Sequence, residues 1–175
     1  MVASLIRKIL GVDAARDRVG DLGLLFDSLM EKLVHLEPEE VKRITGYAGM
    51  LGRIAYADME ISDVEIDRMK QILSTELKLS PSHVALLVSL LVEHRVQLFS
   101  VEDHFYHRII NESCSFDEKM ALMKVLFGLA AADGSISKEE DAALFTASKS
   151  LRLSHRDFIA VRRQFATYLD VLKDQ

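Results

Sequence analysis

The sequence predicts an all-α fold: a single-domain bundle of about eight helices, built from two helical repeats that a pseudo-twofold axis relates. Three observations carry this prediction. Only eight Gly and two Pro occur among 175 residues, so turn-forming residues are about half as frequent as usual. Apolar residues recur at helical spacing along most of the chain, and strand-like alternation never survives four residues. Serines stand where helices should begin.

The helices follow one another with short connections. They are predicted at residues 3–10, 14–36, 38–57, 63–78, 81–98, 101–114, 116–132, 138–150 and 155–172. The first two make an N-terminal helical extension, residues 1–36, that packs on the core of a helical domain over residues 37–172. The short amphipathic stretch Ser4–Leu10 places Arg7 and Lys8 beside its apolar face, so peripheral membrane contact is an alternative to packing on the core.

Candidate N-cap serines mark the start of six helices. Pro81 follows Ser80 at the first helical position, where its missing N–H costs nothing. Ser100 and Ser154 are further candidates. A glutamate follows three residues after three other serines, which is the capping-box pattern: these pairs are Ser62–Glu65, Ser115–Glu118 and Ser137–Glu140.

Two segments are apolar nearly all round the helix, residues 84–92 and 120–131. A helix of this kind is buried on every side. We therefore expect these two helices to run through the middle of the bundle and the amphipathic helices to surround them.

Composition excludes several functional classes. A net charge of −5 gives no general attraction to nucleic acid, and no apolar run approaches the roughly 18 residues of a membrane span. One cysteine precludes an internal disulfide. The sequence contains no Gly-rich phosphate loop, His-Glu-x-x-His or Gly-x-Ser-x-Gly motif. We expect a non-enzymatic, cytoplasmic protein without a transmembrane segment or a nucleic-acid partner.

An internal repeat divides the domain. Residues 55–65 and 130–140 agree at six of eleven positions, in the pattern Ala-x-Ala-Asp-x-x-Ile-Ser-x-x-Glu. After a one-residue gap the similarity continues, because Leu-x-Leu-Ser occurs at 77–80 and again at 151–154. The first repeat therefore covers residues 38–98 and the second covers residues 101–172.

The aspartates of the motif carry the clearest sign of function. Asp58 and Asp133 are predicted in the last turn of a helix, where the helix dipole disfavours an anion. Two interpretations stay open. Each aspartate can accept hydrogen bonds from the loop that follows, as an Asx turn. Alternatively, the twofold axis brings Asp58 and Asp133 together with Glu65 and Glu140, and the four carboxylates hold a hard divalent cation, Ca²⁺, Mg²⁺ or Mn²⁺.

An ordinary EF-hand is excluded, because apolar residues occupy the slots of the two leading oxygen ligands in both copies. A cation site made by these four acids would therefore need a geometry different from that of an EF-hand loop.

At these residues the sequence resembles the TerB family, the tellurite-resistance-type helical domain also found in some membrane-anchored J-domain co-chaperones. The resemblance covers about residues 40–165 and includes the run from Phe105 through Leu153. Asp133, Gly134 and Glu140 match the family pattern fully, whereas the first copy departs from it at 59–60. The resemblance implies an all-helical bundle without known enzymatic activity, acidic residues suspected of metal binding, and a place in stress or membrane-linked assemblies. The chain lacks a His-Pro-Asp tripeptide, so J-domain activity is not expected.

The leading hypothesis is a TerB-like helical module that binds partner proteins in a stress or tellurite-resistance-type system. A divalent cation at Asp58, Glu65, Asp133 and Glu140 is part of that hypothesis. Two alternatives stay open: a metal-dependent hydrolase that uses the same acids, and a purely structural interaction domain in which the acids serve only as caps. The sequence does not define the oligomeric state.

Overall fold

The computed structural model describes residues 31–55, 63–100 and 103–170. After a helical turn at 31–33, these ranges hold seven α-helices and one 3₁₀ helix: α1 Pro38–Ala55, α2 Asp63–Leu77, α3 Pro81–Ser100, α4 Asp103–Ser113, α5 Phe116–Ala130, α6 Lys138–Ser150, α7 His155–Arg162 and the 3₁₀ helix Arg163–Tyr168. Apart from one isolated bridge, between Ile136 and Leu169, the described chain is helix and turn. The all-α prediction is confirmed. The helix predicted at 3–10 and most of the one at 14–36 lie outside the described residues, and the domain boundary at 36–37 stays a prediction.

Serine caps define most helix starts as predicted. Capping boxes form at Ser115 and Ser137 with the expected glutamates, and the hydroxyl of Ser80 accepts a hydrogen bond from the amide of His83 at 3.3 Å. A box that the sequence analysis missed joins Ser154 to Asp157. Ser100 is the last residue of α3, but its side chain and residues 101–102 lie outside what the structure describes, so its role as a cap stays a prediction. Ser62 lies outside the described residues.

The predicted helix at 155–172 is also wrong beyond Arg162. There the chain continues as a 3₁₀ helix in which Phe165 leaves helical geometry (φ −111°, ψ 17°), and Leu169 is extended. Two tertiary contacts account for this change. The ring of Phe165 stacks on Phe127 with the centroids 5.4 Å apart, and Leu169 lies beside Ile136 in the bridge. Packing therefore overrides the helical periodicity at this end of the chain.

The centre of the bundle is α1 together with α5. Every residue from Ile44 to Gly52 is buried, and α1 packs against α3, α4 and α5. Burial of α5 confirms the prediction for residues 120–131. The prediction that residues 84–92 lie in the middle is only partly right, because Ala85 and Val92 of α3 are exposed.

Small residues explain why α1 is central although its sequence is less apolar than that of α3. A Cβ built at Gly49 would overlap the ring of Tyr106, and one at Gly46 would lie 2.7 Å from Cδ1 of Ile110. The two glycines thus let α4 approach the α1 backbone more closely than any side chain would allow. The pattern of apolar residues does not reveal such a contact, because glycine contributes no apolar side chain.

The two repeats share local geometry at one matched helix end. Lys78 and Arg152 follow the last helical turns of α2 and α6 and have positive φ angles of 52° and 60°. Each is flanked by leucines and precedes a capping serine, Ser80 or Ser154. The left-handed residue ends one helix and redirects the chain into the next. The pseudo-twofold relation of the complete repeats stays a prediction.

Candidate functional site

The acidic turn of the second repeat, residues 131–137, lies between α5 and α6. The helix ends at Ala130, so Asp133 stands beyond it, and the prediction that Asp133 occupies the last helical turn is wrong. Its Oδ1 accepts a hydrogen bond from the amide of Ser135 at 3.0 Å, and Gly134 adopts φ 100°. This is the Asx turn that the sequence analysis kept as one interpretation. Since Asp133 lies beyond the last helical residue, the helix dipole disfavours its negative charge much less than it would inside the last turn.

Glu140 is the N3 residue of α6. Its Oε2 accepts hydrogen bonds from the amide and the hydroxyl of Ser137, both at 2.9 Å, while its own amide donates to the Ser137 hydroxyl at 3.1 Å. The carboxylate also lies at the positive end of the helix dipole, which favours an anion. Its position is therefore explained by helix capping.

The acidic turn also holds the C-terminal segment. Ile136 is fully buried; its amide donates to the carbonyl of Tyr168 at 2.6 Å, and its carbonyl accepts from the amide of Asp170 at 3.0 Å. Asp133 and Glu140 thus shape a turn whose central residue fixes the chain around Leu169. These two backbone hydrogen bonds hold Phe165 and Tyr168 against the rest of the bundle.

The matching acids of the first repeat cannot be compared in the same way. Asp58 lies outside the described residues, and only the backbone of Glu65 is described, in the first turn of α2. Within the described residues, no group of three or more His, Cys, Asp or Glu side chains is arranged to hold a metal ion. The four-acid cation site therefore stays a prediction.

A groove between α2 and α5 is the second candidate site. Its first hollow has a volume of about 300 Å³. Half of its lining residues are apolar or aromatic: Ile72, Gly128, Ala131, Phe165 and Tyr168. Polar side chains form its rim: Gln71, Thr75, Glu76, Lys124 and Gln164. A second hollow of about 360 Å³ shares Thr75, Glu76 and Lys124 with the first, so the two lie next to each other along the groove.

Charged side chains line the second hollow. Lys124 Nζ pairs with Glu76 Oε2 at 3.5 Å where the two hollows meet, and about a third of each side chain is exposed. Glu118, at the far end, accepts a hydrogen bond from the amide of Ser115 at 2.8 Å and pairs with Arg43 at 3.2 Å. The amide of Ser115, together with the Ser115 hydroxyl and Arg43, lowers the pKa of Glu118 below its ordinary value.

The lowered pKa gives a testable pH dependence. Ionised Glu118 stabilises the fold at pH values above its ordinary pKa of 4.5, and this contribution is lost as the pH falls through the lowered folded-state value. Glu118→Gln should therefore be less stable than the unmodified protein at about pH 7, and the difference should shrink below about pH 4. Urea unfolding of both proteins at several pH values measures this difference. A difference that stays constant with pH would show that the charge of Glu118 is not its cause.

The groove is not among the sites predicted from the sequence. Its aromatic wall exists because the chain leaves α-helical geometry at Phe165, whereas the periodicity predicts an unbroken helix there. One available signal was Gly128, the only glycine in α5, because an isolated glycine inside a helix often has a packing or functional reason.

Comparison with known proteins identifies a family. A family model described as tellurite resistance protein TerB matches residues 44–163. No curated protein and no solved structure matches the chain. The matched span contains the acidic turn, α2 and α5, and it ends where the 3₁₀ helix begins. In the described ranges, no helix is both long enough and apolar enough to cross a membrane.

Proposed function

We propose that this chain, which belongs to the tellurite resistance protein TerB family, is a non-enzymatic helical module that binds a partner protein through the groove between α2 and α5. The observation that carries this proposal is the make-up of the groove: an apolar, partly aromatic hollow bordered by polar and charged side chains. The family description supports a setting in a stress or tellurite-resistance-type system, and we place the module in the cytoplasm.

Protein-binding surfaces commonly have an apolar centre, where one or two large side chains of the partner are buried, and a polar rim. The hollow beside Phe165 and Tyr168 has this form. With about 300 Å³ it accommodates one large side chain rather than a whole cofactor. We therefore assign it an aromatic or branched aliphatic anchor residue of the partner, held against Phe165, Tyr168 and Ile72.

The Glu76–Lys124 ion pair supplies selectivity more than affinity. Exposed pairs contribute little to stability, but charges at a rim exclude partners whose charges do not match. Because this pair lies where the two hollows meet, a partner that fills both must place polar or charged groups across it. The anchor residue should therefore be followed, along the bound segment, by a polar stretch.

We assign Asp133 and Glu140 a structural role. Each carboxylate accepts hydrogen bonds from its own turn or helix end, and the resulting turn positions Tyr168 through Ile136. The acids then contribute to binding indirectly, because Tyr168 is a wall of the groove. This assignment corresponds to the alternative in which the acids act as caps.

Site-specific photo-cross-linking in the source cell tests the groove. A photoreactive residue at Gln71, on the rim, should give a discrete adduct with a partner protein, whereas the same residue at exposed Thr146 of α6 should not. Thr75→Trp should abolish the adduct, because the indole fills the groove from an exposed position and surface changes rarely alter stability by more than about 0.5 kcal/mol.

Thr146→Trp is the matched control, since it adds the same side chain to another exposed helix position. It should leave the Gln71 adduct intact. An adduct that survives Thr75→Trp, or one that forms equally well from Thr146, would contradict binding in the groove. Urea unfolding of both tryptophan variants verifies that they are folded.

A further inference from the structure

The described part of α3 carries apolar residues on its outward side, whereas the solvent-facing side of a surface helix is usually polar. Ala85 and Val92 are exposed on this face, with half-buried Ser89 between them, and 42% of Val92 is accessible. The three positions follow one another at spacings of four and three residues, so they form one stripe along the helix. Such a stripe is stabilised when another apolar surface covers it.

The chain before α1 is attached at this same face. Lys32 Nζ donates to Ser89 Oγ at 3.2 Å and pairs with Glu93 at 3.0 Å. The next residue, Leu33, is completely buried in the core. The thirty residues that precede Glu31 therefore join the described structure on the outward side of α3.

Those thirty residues contain a matching apolar stripe. Leu22, Leu25 and Leu29 precede Leu33 at spacings of three and four residues, which places all four leucines on one side of a helix. A helix over residues 22–33 would be about 18 Å long. The stretch of α3 from Ala85 to Val92 is about 10 Å long, so one such helix is long enough to cover it.

We propose that Leu22, Leu25 and Leu29 pack on the outward face of α3 and cover Ala85 and Val92. The N-terminal extension is then an integral part of the fold. The face of α3 is then closed to other molecules.

Thiol labelling of the full-length chain tests this packing. The Cys114→Ser background removes the native thiol, and Val92→Cys introduces a probe on the covered face. A maleimide should label this probe roughly tenfold more slowly than the probe of Thr146→Cys, which lies on an exposed position of α6, because labelling requires local opening. Adding Leu25→Asp should restore fast labelling at position 92.

Leu24→Asp is the matched control, because residue 24 lies on the opposite side of the same predicted helix and should leave labelling slow. Equal labelling rates for the two probes would overturn the proposal, as would acceleration by both aspartate substitutions or by neither. Protection that increases with protein concentration would also overturn it, since a second copy of the chain would then be the cover.

Discussion

Gly49→Ala is expected to lower the free energy of unfolding by about 1–3 kcal/mol, the range of overpacked cores. The added methyl group would overlap the ring of Tyr106, which is completely buried and has little room to move. Alanine is by itself about 1 kcal/mol better than glycine inside a helix, so the loss from the overlap must exceed this gain. Urea unfolding at equilibrium measures the change.

Gly128→Ala is the matched control for Gly49→Ala. It also replaces a helical glycine by alanine, but without an overlap with an aromatic ring. Gly128 also lies inside a buried helix, but a Cβ there would meet only the end of the Ile72 side chain, at 3.3 Å. Its stability should stay within about 1 kcal/mol of the unmodified protein. If the two variants unfolded alike, the tight contact between α1 and α4 would not be the reason for the central position of α1.

Ile136→Ala is expected to cost about 3 kcal/mol, as usual for a completely buried branched side chain that is cut back to a methyl group. Ile136 is fully buried in the acidic turn, and its backbone joins Tyr168 and Asp170. The loss of packing should therefore loosen the C-terminal segment as well. Urea unfolding measures the first effect, and hydrogen exchange at the amide of Asp170 measures the second.

Ile136→Val keeps most of the side chain and should cost about 1 kcal/mol. Exchange at the Asp170 amide should then stay close to that of the unmodified protein. If Ile136→Ala destabilised the fold but left this amide equally protected, the acidic turn would not be what holds the 3₁₀ helix and the wall of the groove.

Local signals predicted the helices well, because their determinants are close in the sequence. Ser115 and Ser137 meet their own glutamates within one turn. The failures have distant causes. Phe165 leaves the helix to stack on Phe127, and α1 is central because glycines accommodate Tyr106 of α4. Neither contact has a counterpart in the pattern of neighbouring residues.

The same difference between local and distant determinants applies to the two candidate sites. The sequence identified Asp133 and Glu140 as special, and both make defined hydrogen bonds at a turn and at a helix start. The predicted helix at 116–132 extends two residues too far, since α5 ends at Ala130, and this error created the dipole conflict that favoured a cation. The groove could not be predicted, because its walls come from α2, α5 and the 3₁₀ helix.

Titration with Mn²⁺, followed through backbone amide signals, tests the central claim that the acidic turn is a structural part of a protein-binding module. Mn²⁺ broadens the signals of nuclei near its binding site. We predict that one equivalent leaves the amides of Gly134, Ser135 and Ser137 unbroadened, both in the unmodified protein and in Asp133→Asn. Saturable broadening of these amides at one equivalent, abolished by Asp133→Asn, would contradict the account and establish a cation site at the turn.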